Sequence, residues 1–262
     1  VHGKKIAQIK SMEKIFENKV AIVTGGSFGI GRAASIAFAQ GGAKVAVVDV
    51  VEDTETVNAI KAAGGEAIFI KCDVSKSADV QAMVEKTVKT YGRLDFAFNN
   101  AGIEGAPAPT HECTEENWDK TIGINLKGIW LCMKYEIPHM LKQGKGAIVN
   151  CASIAGIVGF QGLTAYVATK HGVVGITKTA ALEYAKAGVR VNAVCPGVIK
   201  TPMIDRFTGK KKEAEQQFIN MEPIGRMGEP EEVANAVLFL CSDAASFVTG
   251  NAMAVDGGWI AQ

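Results

Sequence analysis

Apolar residues along the chain fall into two rhythms. Short unbroken runs rich in β-branched residues occupy Lys19 to Thr24, Ala43 to Val48, Ala67 to Cys72, Leu94 to Asn99, Gly146 to Cys151, Val189 to Val194 and Ala252 to Val255, and runs of that kind read as strands. Between them apolar positions return at helical spacing. Ala33, Ile36, Ala37 and Phe38 do so over 32–40, and Val80, Met83, Val84, Thr87, Val88 and Tyr91 share one face. Further helices are predicted over 52–63, where Gly64-Gly65 stops them, from Thr114 towards Met140, over 165–187, and after Glu229-Pro-Glu-Glu232, whose proline and acids suit a first turn. Strands alternating with helices pair in parallel, with helices on both faces. The pattern therefore predicts an α/β, doubly wound fold with a seven-stranded parallel sheet. No Pro/Ser linker, repeat or low-complexity segment divides 14–262, which reads as one domain. Residues 1–13 lack an initiator Met and are expected to be an extension outside that domain, with Met12 as a candidate start.

The first strand runs into Gly25-Gly-Ser-Phe-Gly29-Ile-Gly31 before the first helix. Glycines suit so tight a turn: they accept positive φ and let a ligand approach the backbone closely. The N–H groups at the helix start favour a pyrophosphate. Asp49, ending the second strand, is placed to receive ribose hydroxyls. The Gly-x-x-x-Gly-x-Gly spacing also occurs in turns that serve only packing, so later residues must decide. In parallel sheets ligands bind beyond the carboxyl ends of strands, and Gly25, Asp49, Asp73 and Asn99 all sit at such ends.

Composition removes several classes of function. Lys plus Arg (28) balances Asp plus Glu (27), leaving no excess to attract nucleic acid or an anionic membrane. No apolar run approaches the roughly 20 residues of a membrane helix. The six cysteines, at 72, 113, 132, 151, 195 and 241, show no Cys-x-x-Cys and no metal-like grouping with the histidines. Free thiols in a reducing cytosol are the reading, so a cytoplasmic protein without a metal is expected.

Tyr166 and Lys170 stand four apart on a predicted helix and share its face. Ser153 follows the fifth strand, close to the crevice. A tyrosine of ordinary pKa near 10 needs a shift of about 3 units, roughly 4 kcal/mol, to serve as a base near neutrality. A lysine ammonium one turn away supplies charge for that. Taken alone, the pair is an ordinary amphipathic helix pair.

The glycine turn, Asn99-Asn-Ala-Gly102, Asn125, Ser153, Tyr166-Val-Ala-Thr-Lys170 and Cys195-Pro-Gly197, in this order, resemble the short-chain dehydrogenase/reductase family, over about Lys19 to Trp259. The resemblance implies a Rossmann-type fold and a nicotinamide cofactor. It implies catalytic roles for Asn125, Ser153, Tyr166 and Lys170, with Asn125 holding a water in a proton path through Lys170. It places the cofactor on Gly25, Ser27, Phe28, Gly29, Ile30 and Gly31, on Asp49, Asp73 and Val74, on Asn99, Ala101 and Gly102, on Tyr166 and Lys170, and on Pro196, Gly197, Val198 and Thr201. Ser153 would hold a substrate oxygen and Tyr166 would exchange its proton, so an alcohol or ketone is the small-molecule partner. Family resemblance also implies a homotetramer, to which the sequence adds an apolar end at Trp259-Ile260 that a second subunit could cover.

NAD is expected over NADP. A 2′-phosphate would meet Asp49 as a like charge, and Phe28, Val50 and Val51 offer no cation. Arg32, one residue past Gly31, is read as a surface residue. Within the family the chain is similar to enzymes labelled glucose 1-dehydrogenase or 3-oxoacyl-carrier-protein reductase. An NADP-dependent 3-oxoacyl thioester reductase is therefore an open alternative, and a catalytically silent nucleotide sensor or scaffold is another. Substrate contacts are expected from 103–107, 154–163 and 198–226, the last a long loop with the charge run Lys210-Lys-Lys212 that reads as a lid. Gly123 and Gly128 weaken the helix after Thr114. They allow a bend near Asn125 or close packing, and both readings stand.

Overall fold

In a computed structural model, residues 14–262 are described; the extension expected over 1–13 lies outside them. The elements are β1 (Val20–Thr24), α1 (Gly29–Gln40), β2 (Lys44–Asp49), α2 (Glu55–Ala62), β3 (Ala67–Lys71), α3 (Ser77–Tyr91), β4 (Phe96–Asn99), α4 (Glu115–Ile122), α5 (Gly128–Gln143), β5 (Gly146–Cys151), α6 (Thr164–Tyr184), β6 (Val189–Pro196), α7 (Pro202–Thr208), α8 (Lys212–Met221), α9 (Pro230–Cys241) and β7 (Ala252–Val255). The strands form a seven-stranded sheet in the order β3-β2-β1-β4-β5-β6-β7, and every pair is parallel.

Both faces of the sheet are covered, which explains why its strands read as unbroken apolar runs. Ile22, Ala46, Val48, Ala97, Ile148 and Val191 pack under α3, α5 and α6. Ala21, Val23, Val45, Val47, Phe96 and Phe98 pack under α1, α2 and α9. Phe16, ahead of the first strand, closes that second core edge-on to Phe96 at 4.9 Å.

The chain winds outward from β1 to β3, then returns to start β4 on the other side of β1. That reversal opens a crevice beyond the carboxyl ends of β1 and β4. Register puts Thr24 beside Asn99, so the glycine turn and the segment after Asn99 leave the sheet as neighbours.

Two stretches differ from the sequence expectation. The helix expected from Thr114 to Met140 is α4 and α5 joined by a π turn at Gly123–Lys127, where the Gly128 N–H reaches back to the Gly123 carbonyl. A Cβ on Gly123 would touch nothing, whereas one on Gly128 would lie 2.9 Å from Val74 Cγ2. Close packing therefore accounts for Gly128, and Asn125 lies in the middle of the π turn, which takes in one residue more than an α turn. The segment after Val198 is a pair of helices rather than a loop. Pro202 opens α7, Gly209 ends it at φ 57°, and α8 begins with Glu213 and Glu215 in its first turn.

Candidate active site

The glycine turn is built for close backbone contact. Gly25 and Gly29 have φ of 61° and 50°, a region that side-chain-bearing residues rarely adopt. A Cβ on Gly31 would overlap the Gly25 carbonyl oxygen and lie 2.7 Å from Asn100 Nδ2. The turn is tied to β4 by Asn100, whose Nδ2 donates to the carbonyls of Thr24 (3.1 Å) and Gly25 (3.3 Å). Thr24 Oγ1 accepts the N–H groups of Asn100 and Ala101 at 2.9 and 3.1 Å. Nothing in the sequence pattern alone assigns Asn100 or the Thr24 hydroxyl this role. A hydroxyl at the last residue of a strand beside an Asn-Asn pair is at most a hint of it.

At the other end of the turn the Asp49 carboxylate accepts the N–H groups of Ser27 and Val51, both at 3.2 Å. Ser27 is fully buried and its Oγ has no partner among the described residues. A buried hydroxyl without a partner costs free energy that a ligand oxygen would recover. Phe28 is 45% exposed at the crevice rim. Ile30 and Gly31 begin α1. Arg32 is paired with Glu55 at 3.1 Å, in keeping with a surface role. The turn, its bare helix start and the orphan hydroxyl fit a dinucleotide pyrophosphate.

Farther along the same edge, Asp73 is held by the Ser75 hydroxyl at 2.7 Å, and this bond with Lys76 nearby draws its pKa below the usual carboxylate range. Val74 is buried against Gly128. Asn99 departs from its expected place. Its side chain turns away from the crevice into the core, where Nδ2 donates to Glu136 Oε2 and Asn150 Oδ1, both at 3.1 Å. A period of two along the strand sends Asn99 inward and leaves its backbone and Ala101–Gly102 to face a ligand. Burial pushes Glu136 up to about 7 against the lowering effect of the Asn99 bond.

Asn125 sits in the π turn, fully buried. Its amide grips Ile103 on both sides, accepting the N–H and donating to the carbonyl at 2.8 Å each, and Nδ2 also reaches Thr169 Oγ1 at 3.4 Å. Lys170 is 4% exposed; its ammonium donates to the Cys151 carbonyl at 2.8 Å and lies 5.3 Å from the Tyr166 ring centroid. Ser153 caps the short 3-10 turn Ile154–Gly156, its Oγ accepting the Ala155 N–H at 3.1 Å. That turn lies against α6 because Gly156 has no side chain: a Cβ there would come within 2.6 Å of the Lys170 carbonyl oxygen. Thus Asn125, through Thr169, and the turn capped by Ser153, through Gly156, both meet α6, which carries Tyr166 and Lys170.

The wall beyond β6 is Pro196, Gly197 and Val198. Val198 is an expected cofactor residue; its N–H donates to Glu222 Oε1 at 2.8 Å. Thr201 lies against the glycine turn, its Cγ2 3.0 Å from where a Gly29 Cβ would be, and its hydroxyl donates to the Ile199 carbonyl at 3.1 Å. Trp259 is half-buried, with Phe160 of the loop after Ser153 packed on it at 5.9 Å between centroids.

The family model described as Enoyl-(Acyl carrier protein) reductase matches residues 25–260. The chain is a short-chain dehydrogenase/reductase. It is 47% identical to cyclohexanol dehydrogenase of Acinetobacter sp. (strain SE19) over 252 residues, 95% of this chain and 98% of that one. It is 46% identical to 2,5-dichloro-2,5-cyclohexadiene-1,4-diol dehydrogenase of Sphingobium indicum (strain B90A) over 244 residues, 93% and 97% of the two chains. A solved structure of a putative 2-deoxy-d-gluconate 3-dehydrogenase from Agrobacterium tumefaciens with bound NADP superposes with a TM-score of 0.88 at 32% identity, covering 96% of this chain and 100% of that one. As a family member the chain is an oxidoreductase. Among the described residues no helix is long and apolar enough to cross a membrane, and no cluster of metal-ligating side chains is present.

Proposed function

We propose that this short-chain dehydrogenase/reductase uses NAD to oxidise a secondary alcohol on a six-membered carbocycle, or to reduce the matching ketone. The observation that carries the reading is the Tyr166–Lys170 pair beside the Ser153 turn, opening on the crevice at the switch point of the sheet. The ring is suggested by two relatives of nearly full-length coverage, one named for cyclohexanol and the other for a cyclohexadiene diol.

The nicotinamide supplies the hydride acceptor. Ser153 Oγ holds the substrate oxygen, and Tyr166 takes its proton as general base in oxidation and returns it in reduction. Lys170, fixed by the Cys151 carbonyl, keeps a positive charge near the Tyr166 ring. Asn125 fixes Ile103, at the start of the substrate loop. NAD is favoured because the Asp49 carboxylate faces the turn through the Ser27 N–H, while Arg32 is engaged by Glu55. The NADP-bound neighbour supports a dinucleotide in the crevice, and in this reading the choice between NAD and NADP rests on Asp49.

A cytoplasmic homotetramer completes the reading. The six cysteines are free, as suits a reducing compartment. Trp130 and Leu141 on α5, Leu182 on α6, and Phe239 and Phe247 near the C-terminal end present exposed apolar surface for subunit contacts. Light scattering that gave a monomer mass would remove the tetramer.

Oxidation of cyclohexanol-type alcohols, followed by absorbance of reduced nicotinamide with NAD and with NADP, tests the activity. Turnover with NAD is expected, and Tyr166→Phe should lower kcat by about a thousandfold while leaving cofactor affinity in place. Turnover confined to 3-oxoacyl thioesters with NADPH would replace this reading by the thioester reductase. Absence of any turnover, with cofactor still bound, would point to the silent sensor.

A further inference from the structure

Glu222 stands outside the catalytic machinery just described, yet it is only 4% exposed. It follows α8, the last helix of the lid, and its carboxyl returns to the lid's beginning: Oε1 accepts the N–H of Val198, 24 residues earlier, at 2.8 Å. β6 ends at Pro196, so the Val198 N–H lies past the sheet and has no strand partner of its own. Backbone bonds stitch the rest of this segment, through the Gly197 N–H to the Val255 carbonyl at 3.0 Å and, on the other edge, the Gly228 N–H to the Val198 carbonyl and the Lys200 N–H to the Gly228 carbonyl, both at 2.9 Å, so the Val198 N–H is left to Glu222.

The same carboxyl is wedged between two glycine turns. A Cβ on Gly197 would lie 3.0 Å from Oε1, and one on Gly257 would lie 3.1 Å from Oε2. The Ile224 N–H donates to the Gly257 carbonyl at 3.1 Å, which seats the lid's exit on the C-terminal turn. Oε2 is buried without a partner among the described residues, and burial together with the Asp256 carboxylate raises the pKa of Glu222. A carboxyl kept in so unfavourable a place for one hydrogen bond points to a role for that bond.

We propose that Glu222 is a positioning residue, a clasp that joins the lid's two ends and holds the Pro196–Val198 turn in the shape that receives the nicotinamide end of the cofactor. The inference rests on the crevice being the dinucleotide site proposed above. It adds that cofactor affinity and lid order are set by one carboxyl that touches neither cofactor nor substrate. Gln at this position keeps the acceptor oxygen and the shape, and Ala removes both.

The lid carries its own reporter, since Lys210, Lys211 and Lys212 are exposed between α7 and α8. In the protein without cofactor, trypsin should cut there at least about fivefold faster in Glu222→Ala than in the parent, with Glu222→Gln within about twofold. Equilibrium binding of NADH, followed by its fluorescence, should weaken about fivefold or more in Glu222→Ala and stay near the parent in Glu222→Gln. Parent-like cleavage in Glu222→Ala overturns the clasp, and so does faster cleavage with unchanged cofactor affinity. Should Glu222→Ala not fold, amide exchange of Val198 in the parent and in Glu222→Gln decides instead. Protection like that of Gly228 is expected, and exchange at the rate of an open loop overturns the inference. If the parent binds neither NADH nor NADPH, the reading of the crevice fails by itself, and cleavage and exchange still decide the clasp.

Discussion

On one side of the crevice, the glycine turn is held by backbone groups and buried side chains, with Thr24, Asn100 and the strand register fixing it from within the sheet. On the other side, the lid of α7 and α8 buries little of itself and hangs on long-range polar contacts. These are Glu222 to Val198, the bidentate Arg206–Glu104 pair at 2.6 and 2.9 Å, and Lys200 with Glu229. Close packing has no slack, so a single added atom in the turn forces movement. A partly exposed ion pair contributes only about 0–1 kcal/mol, so the lid gives way by small steps. On the proposed reading a substrate would enter past the soft wall while the rigid one would hold the cofactor, and the two kinds of construction suit those demands.

The sharpest test of the contrast sets one glycine against another. Gly31→Ala places a methyl on the Gly25 carbonyl oxygen and against Asn100 Nδ2, and cofactor affinity should fall by at least about a hundredfold, close to 3 kcal/mol. Gly209→Ala, in the lid at φ 57° with nothing within 4 Å of the added methyl, should cost only about 1–2 kcal/mol of stability from strain. Its cofactor affinity should not move. Similar losses of affinity in the two variants, measured by titration, would break the comparison.

The rigid side extends into the core through Asn99 and Glu136. Glu136 is fully buried with Oε1 unpartnered among the described residues, and so is Asn99 Oδ1; Cys132 beside it and Cys72 beyond are thiols that burial keeps neutral. Because the folded pKa of Glu136 is raised from 4.5 to about 7, the folded state holds the proton more tightly than the unfolded one. Its stabilising share is complete below about 4.5 and is lost as pH rises towards 7. Glu136→Gln removes that loss. Relative to the parent it should gain stability from pH 4.5 to 7, by on the order of 3 kcal/mol, and the gain should level off above. Parallel urea-unfolding profiles for the two proteins across that range would refute it.

Cofactor choice lies between the two walls and should change by less. Asp49→Ala with Phe28→Arg removes a like charge and supplies a phosphate partner, so the ratio of kcat/KM for NADP over NAD should rise about tenfold or more. A parent that already prefers NADP would overturn the role given to Asp49. The smallest effect is expected on the soft wall. Glu104→Gln weakens the Arg206 contact that depresses the Glu104 pKa, and substrate KM should rise about threefold with kcat kept. A large fall in kcat would show that this contact belongs with the rigid side.

The unbroken apolar runs and the helical spacing between them determined the strands, the helices and the doubly wound class, because burial on both faces of a parallel sheet leaves its mark on every strand residue. Glycines at 25, 29 and 31 and the Tyr166–Lys170 pair stood out by residue type and spacing, which a tight turn and proton chemistry favour, whereas roles for Asn125 and Ser153 came only with the family resemblance. Tertiary structure decided what long-range partners decide. The inward turn of Asn99 depends on Glu136 and Asn150, and the place of Ser153 depends on a missing side chain at Gly156. The packing of Phe160 on Trp259, about a hundred residues apart in the chain, is likewise a tertiary matter. The lid resolved into helices whose proline and acids were visible, while its mixed polarity hid any apolar face. Glu222 left no local mark at all, since a carboxyl before a proline looks like surface until the fold brings Val198, 24 residues away, to meet it.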